Sequence, residues 1–341
     1  MGYITRFASW LIDPFIIKPE PQEDTSFLEV TETPITFNPF SSPVSVFKPT
    51  TFAQYVGQDK AKSLLQNYIS GTITRKRPFP HTLICGQAGY GKTTLARIIA
   101  HQLNLSITEV IGNEANSESI GKLVGKSQLG ILFIDEIHAV ERASAEQLYP
   151  LMEDFTYKGQ SVAPFTLIGA TTEVGEILKD KKPFYDRFKI IINLTEYTIP
   201  ELASILKQYK TQVFPQDKLS HKIYYTLARN CRNTPRHGIR LLEATIYANG
   251  NIQDTFYTFD IVKDGYTSQD LYILKYLSQN PKGLGLKGLT AYLNISEDNY
   301  TYAIEPYLLK TGLLMRTARG RIISEKGIQL VQELEKEQQH G

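Results

Sequence analysis

Residues 86–93 read GQAGYGKT, which sets Gly86, Gly89, Gly91, Lys92 and Thr93 in the order G-x-x-x-x-G-K-[ST]. Glycines at this spacing let successive backbone N–H groups converge on an anion. The lysine then reaches the outer oxygens of a polyphosphate, and the threonine hydroxyl can ligate magnesium. The stretch follows the apolar run HTLIC and opens into TLARIIA, whose apolar residues recur at helical spacing. Strand, glycine loop and helix N-terminus in that order are what a phosphate cradle requires. Further along, the run GILFID ends in Asp135 with Glu136 behind it. Paired carboxylates at the end of an apolar strand are costly unless they face a cation or water. Near a phosphate cradle, Asp135 suits a magnesium ion and Glu136 suits the orientation or deprotonation of an attacking water.

Three weaker signals accompany these. TLIGATT ends an apolar strand in Thr171 and Thr172, where a hydroxyl can touch a phosphate or a water, although threonine is also an ordinary strand residue. KKPFYDRFKIIINL sets Arg187 before another apolar run, either as a solvated arginine or as one supplied to a neighbour's phosphate. NTPRHGIRLL reads as a helix start, with Asn233 or Thr234 as cap, Pro235 in the first turn and Arg236 within reach of a nucleotide between two domains. A last cluster, LLMRTARGR, crowds Arg316, Arg319 and Arg321 together in a chain whose formal net charge is only +2. Such a triplet repels itself unless water or an anionic partner screens it.

The elements that must carry these residues follow from periodicity. From Phe47 to Leu194, β-rich runs alternate with helical stretches, the pattern of an α/β domain whose parallel sheet is wrapped by helices. Residues 197–266 hold amphipathic helical segments and few strand candidates, which predicts a small all-helical domain. Residues 267–337 give helices followed by a hairpin, which predicts a winged helix. Residues 1–46 read as an extension, partly a flexible linker, with Phe7, Trp10, Leu11, Phe15 and Ile16 as a core-packing cluster or a docking peptide.

Composition bounds the rest. An apolar share of 42% over 341 residues can build more than one core. Cys85 and Cys231 lack metal-ligand spacing and are too few for a disulfide framework, so a reducing, cytoplasmic home is expected. No apolar run is long enough for a membrane span, and Asp13 and Pro14 interrupt the opening segment as a signal peptide. With 37 basic against 35 acidic side chains, contact with nucleic acid must come from a local patch.

Taken together, FAQYVGQDKAK, GYGKTTLARIIA, LFIDEIHAV, LYPLMEDF, PFTLIGATT, DRF, NTPR with the following RLL, and EPYLLKTGLLMRTARGR resemble the RuvB family. Its members are AAA+ ATPases that drive branch migration of Holliday junctions. The likeness runs from Phe47 to Ser324. It implies an AAA+ P-loop ATPase domain, a helical lid and a winged-helix domain, with ATP and Mg2+ as cofactors. By position it places Phe47, Lys48, Tyr55, Val56 and Tyr197 around adenine and ribose. Lys92, Thr93 and Thr94 fall on phosphates and magnesium, Asp135 and Glu136 form the acidic pair, and Thr172 is the first sensor. Glu153, Asp154 and Phe155 match a stretch near the nucleotide, Arg187 an arginine finger acting on the next subunit, and Arg236 the second sensor. Arg316 and Arg321, with Arg319 between them, match the DNA-contacting wing. The implied partners are double-stranded or four-way-junction DNA and copies of the chain in a ring, six being the expected number.

The chain also departs from the pattern. Between MEDF and PFTLIGATT stands only TYKGQSVA, where the family has a longer hairpin that docks RuvA, which argues against that partnership. Tyr90 stands where leucine is usual, Tyr185 replaces an arginine near Arg187, and Lys48 replaces an arginine beside adenine. Two alternatives to a translocating motor stay open at this point: a clamp-loader-like ATPase, and an ATP-gated DNA-binding scaffold with little turnover.

Overall fold

The computed structural model describes residues 47–124 and 130–339, so the extension expected over 1–46 lies outside the described residues. The chain divides into two compact units that meet between Thr255 and Phe256.

The larger unit is built on five parallel strands: β1 (Thr82–Cys85), β2 (Ile107–Ile111), β3 (Ile131–Asp135), β4 (Thr166–Thr171) and β5 (Ile190–Asn193). Their spatial order is β2-β3-β4-β1-β5. β4, the third strand across, is buried at every residue, as a strand covered on both faces must be. The order matters for chemistry, because it brings the carboxyl ends of β1, β4 and β3 side by side. Helix α1 (Lys92–Leu103) starts directly from the glycine loop and buries Leu95, Ala96, Ile98 and Ile99 against the sheet. Helix α2 (Arg142–Glu153) buries Leu148, Leu151 and Met152, and ends one turn after Pro150. A short hairpin follows, two residues per strand, with Thr156 opposite Ser161 and Tyr157 opposite Gln160 around Lys158 and Gly159. Helices α3 (Val174–Asp180) and α4 (Lys182–Tyr185) then lead into β5.

Three further helices follow β5 in this unit: α5 (Ile199–Val213), α6 (His221–Asn230) and α7 (Pro235–Tyr247). Thr198 and Glu201 cap α5 reciprocally, each side chain bonding the other's backbone N–H. Gln58 ties the segment before α5 to the start of the domain, donating to the Thr195 carbonyl at 2.7 Å and accepting from the Thr195 N–H at 3.0 Å.

His81 locks α2 to the sheet. Its Nδ1 accepts from the Leu167 N–H at 2.8 Å, which leaves Nε2 as the donor to the Met152 carbonyl at 3.1 Å. Burial pulls its pKa down to about 4, with the Met152 bond opposing. Because the folded value lies below the free value of about 6.5, neutral His81 stabilises the fold above that pH, and the contribution is lost as pH falls toward 4. Between pH 6.5 and 5 the expected loss is about 2 kcal/mol. Urea denaturation at the two pH values measures it, and His81→Gln, which has no proton to gain, is expected to flatten the difference.

The smaller unit is a winged helix. Leu271, Leu274, Leu277, Leu289, Tyr300, Leu308 and Leu313 form its core. The wing is the antiparallel pair β6 (Leu314–Thr317) and β7 (Gly320–Ile323), with Leu284 bridged to Arg321 as a third edge. No helix among the described residues is long and apolar enough to cross a membrane.

Candidate functional site

The glycine loop and the lid helices enclose a cleft of about 500 Å³ in the larger unit. Phe47, Lys48, Tyr55, Val56 and Tyr197 line it, as do Gly89, Gly91, Lys92, Thr93 and Thr94. Asp135, Glu136 and Arg236 border it as well. These expected residues are therefore brought together, although they come from opposite ends of the unit's sequence.

Local conformation explains the loop. Gly89 has φ +79°, and a Cβ there would meet Thr234 Cγ2 at 2.8 Å and Arg236 Cβ at 3.0 Å. Glycine thus permits both the turn and the close approach of the lid. Thr234 stands at the N-cap position of α7 without a side-chain cap bond, Pro235 opens the helix, and Arg236 follows, so the arginine is set by the helix start. The phenols of Tyr55 and Tyr197 both donate to the Tyr90 carbonyl, at 3.3 and 3.0 Å, and the Tyr90 ring meets Tyr197 edge to face. Tyr90, unusual for the pattern, is buried and anchors the loop between two cleft-lining rings.

Lys92 is a buried residue, and its ammonium donates to the carbonyls of Gly86 at 2.8 Å and Gln87 at 3.3 Å. Burial lowers its pKa, while Glu136 and Asp135 oppose that shift. The Thr93 hydroxyl lies 3.4 Å from Asp135 Oδ2. A hydroxyl and one carboxylate are hard oxygen donors, a set that fits a magnesium ion that keeps several waters and arrives with phosphates. Among the described residues no cluster of three or more His, Cys, Asp or Glu could hold a metal by itself.

Glu136 follows β3 in a left-handed conformation, φ +50°. Gly112 makes room for it, since a Cβ there would sit 2.2 Å from the Glu136 carbonyl oxygen. Its carboxylate Oε2 accepts from the Thr172 hydroxyl at 3.3 Å and lies 3.4 Å from His138 Nδ1. His138 Nδ1 is also 3.1 Å from the Thr171 hydroxyl, which accepts from the Glu173 N–H. Strand order has thus placed the first-sensor candidate beside the candidate base.

Two groups of expected site residues lie outside this cleft, among them Arg187, which was expected to act on the next subunit. Arg187 does not line the cleft of its own chain. Its guanidinium lies over the Tyr149 ring at 4.1 Å, pairs with Glu153 at 3.0 Å and donates to the Pro183 carbonyl, leaving its buried Nε without a partner. Glu153, Asp154 and Phe155, expected near a nucleotide, are likewise outside that cleft. The reason is that α2 ends away from the loop: Glu153 turns to Arg187, and Phe155 packs on His81 and Phe165.

On the smaller unit, the self-repulsion of the arginine cluster has an internal answer. Glu305, with no exposure, accepts from Arg316 at 3.1 and 2.6 Å and from Arg321 at 2.7 and 3.2 Å. Burial pushes its carboxyl upward, but the two guanidinium groups outweigh that and hold its pKa below the usual value. The Arg321 side chain is 16% exposed and that of Arg316 53%. Arg319 is exposed, and its side chain has no partner among the described residues.

Residues that sequence reasoning missed include Arg97, which lines the cleft and pairs with Glu109 at 2.6 Å, and Gln208, Tyr209 and Ile239 on the lid. Arg97 stands one helical turn after Thr93, so its face was readable; the lid residues needed the fold.

Comparison with known proteins matches these features. The family model described as "Holliday junction DNA helicase RuvB P-loop domain" matches residues 47–194, and that described as "RuvB C-terminal winged helix domain" matches 263–332. The chain is 34% identical over 310 residues to the Holliday junction branch migration complex subunit RuvB of Prochlorococcus marinus strain AS9601, spanning 83% of this chain and 87% of the relative. It is 35% identical over 305 residues to that of Kosmotoga olearia, spanning 82% and 88%. The solved Thermotoga maritima RuvB Holliday junction branch migration motor superposes with a TM-score of 0.69 at 32% identity, over 84% of this chain and 98% of that one.

Proposed function

The chain belongs to the RuvB family, and on that premise we propose an ATP-hydrolysing motor that acts in a ring of six on double-stranded or four-way-junction DNA in recombination and repair, in the cytoplasm. The observation that carries this reading is the convergence of Lys92, Thr93, Asp135, Glu136 and Thr172 at the carboxyl ends of three adjacent strands, under a lid that contributes Arg236. Lys92 and the loop's N–H groups hold the polyphosphate, and the aromatic side of the cleft takes adenine and ribose. Thr93 and Asp135 would hold a magnesium ion, which when bound would supply positive charge to the outer phosphates. Glu136 takes a proton from water, and Thr172 and His138 keep its carboxylate aimed. Arg187, absent from its own cleft, serves the neighbour's nucleotide, and Arg236 senses the same nucleotide from the lid.

The wing contacts the DNA backbone, which requires charge and no sequence reading, as suits a motor that must pass along any sequence. The structure supports unequal roles. Arg319 is wholly available, Arg316 keeps part of its guanidinium for phosphate, and Arg321 chiefly fixes the wing through Glu305. Arg319→Ala is expected to weaken binding alike on unrelated duplexes and to lower the slope of log affinity against log salt by about one. Titrations at several salt concentrations measure this; an unchanged slope removes Arg319 from the interface. The two-residue hairpin Thr156–Tyr157 and Gln160–Ser161 offers little surface, so RuvA docking there is lost or takes another form. The ATPase test of this function is DNA-stimulated turnover; an ATPase indifferent to duplex and junction DNA contradicts a DNA motor.

A further inference from the structure

In the stretch Lys179-Asp180-Lys181-Lys182, three charged side chains are exposed and Lys181 alone is buried, at 8% exposure. Burying an ammonium is costly unless it satisfies groups that would otherwise be orphaned. Lys181 Nζ donates to the carbonyls of His138 at 2.5 Å and Val140 at 2.6 Å, the end of the tight turn that follows Glu136. Burial lowers the Lys181 pKa, with Glu176 and Asp180 opposing. The same residue ends α3, its N–H donating to Ile177, and starts α4, its carbonyl accepting from Phe184 and Tyr185. Pro183 of α4 in turn accepts from Arg187.

A continuous chain of contacts therefore joins two catalytic parts of one subunit. It runs from the Glu136 carboxylate to the His138 ring, from the His138 carbonyl to the Lys181 ammonium, and from the Lys181 backbone through α4 to the Arg187 guanidinium. We infer that Lys181 is a positioning residue coupling a subunit's own hydrolytic carboxylate to the arginine it presents to the next subunit. A shift of Glu136 as the nucleotide is consumed would move the His138 carbonyl, and the buried ammonium passes that displacement to α4. Lys181 can serve the neighbour only if Arg187 acts in trans, as proposed above.

Mixed rings separate the two ideas. Arg187→Ala subunits keep Glu136 but offer no arginine, and Glu136→Gln subunits keep the arginine but lack the base. If Arg187 acts in trans, mixing the two restores ATPase activity at interfaces where each supplies what the other lacks. No restoration in this parent mixture overturns the trans reading, and the coupling role with it. Lys181→Met is then added to one partner at a time. In the Glu136→Gln subunit, which hydrolyses nothing itself, a loss can arise only through Arg187; in the Arg187→Ala subunit, only through Glu136. The restored activity is expected to fall roughly tenfold in each arm, as misplacement of a catalytic group does, with ATP binding by each variant unchanged. Full restoration in either arm overturns the coupling. A purely local role at Glu136 leaves the first arm intact. Should Lys181→Met fail to fold, judged by circular dichroism and ATP binding, Lys181→Arg replaces it. It keeps the charge but changes the reach, and the same two losses are expected.

Discussion

Glu136→Gln is expected to slow ATP hydrolysis by roughly 10²–10⁴-fold while ATP affinity stays within about twofold. Glutamine keeps the shape and can still accept from Thr172, but its amide cannot take a proton. Both contacts that orient the carboxylate are made by Oε2, so Oε1 is left to accept from water. The side chain is 41% exposed, so loss of charge costs the fold little. Steady-state kcat, read beside the Kd of a fluorescent ATP analogue, separates chemistry from binding. Turnover within about fivefold of the parent contradicts the role of Glu136 and favours a scaffold that binds ATP without needing its hydrolysis.

The second large effect is at Arg187. Arg187→Ala is expected to lower ATPase activity by roughly 10³-fold or more, the range of a trans-acting arginine, while monomeric ATP binding persists. Its partial exposure and its Glu153 partner make a small stability loss, since a solvent-accessible ion pair contributes about 0–1 kcal/mol. A fall in activity with only a small shift in melting temperature therefore reports on catalysis. If Arg187→Ala hydrolyses ATP at the parent rate, each subunit is catalytically self-sufficient, and neither the ring nor the coupling through Lys181 is needed.

The parts of the site legible in the sequence are those whose chemistry is local. Gly86 to Thr93 carry a pattern because one loop and one helix start must wrap one polyphosphate, and Asp135 and Glu136 stand out because apolar strands do not otherwise end in paired acids. Alternation of strands and helices announced a parallel sheet. It did not disclose that β4 lies between β1 and β3, and that order alone sets Thr172 against Glu136. Long-range partners were hidden for the same reason. Glu305 lies upstream of the wing, directly after the π-helix Asn299–Ile304, and meets Arg316 and Arg321 only in the folded domain. The arginine triplet shows in sequence that it needs a counter-charge, but nothing in LLMRTARGR points to a buried carboxylate rather than water or DNA. Lys181 was least legible. In a run of four charged residues nothing marks which one turns inward, because that depends on two backbone carbonyls released by the turn after Glu136.

The most direct measurement is movement of a synthetic four-way junction by the wild-type protein with ATP, alone and with a RuvA partner, Glu136→Gln serving as control. ATP-dependent strand exchange by the wild type, absent in the control, is the predicted result; exchange without RuvA accords with the short hairpin, and exchange only with RuvA means that docking survives its shortening. A protein that hydrolyses ATP on DNA yet moves no junction under either condition contradicts the branch-migration motor.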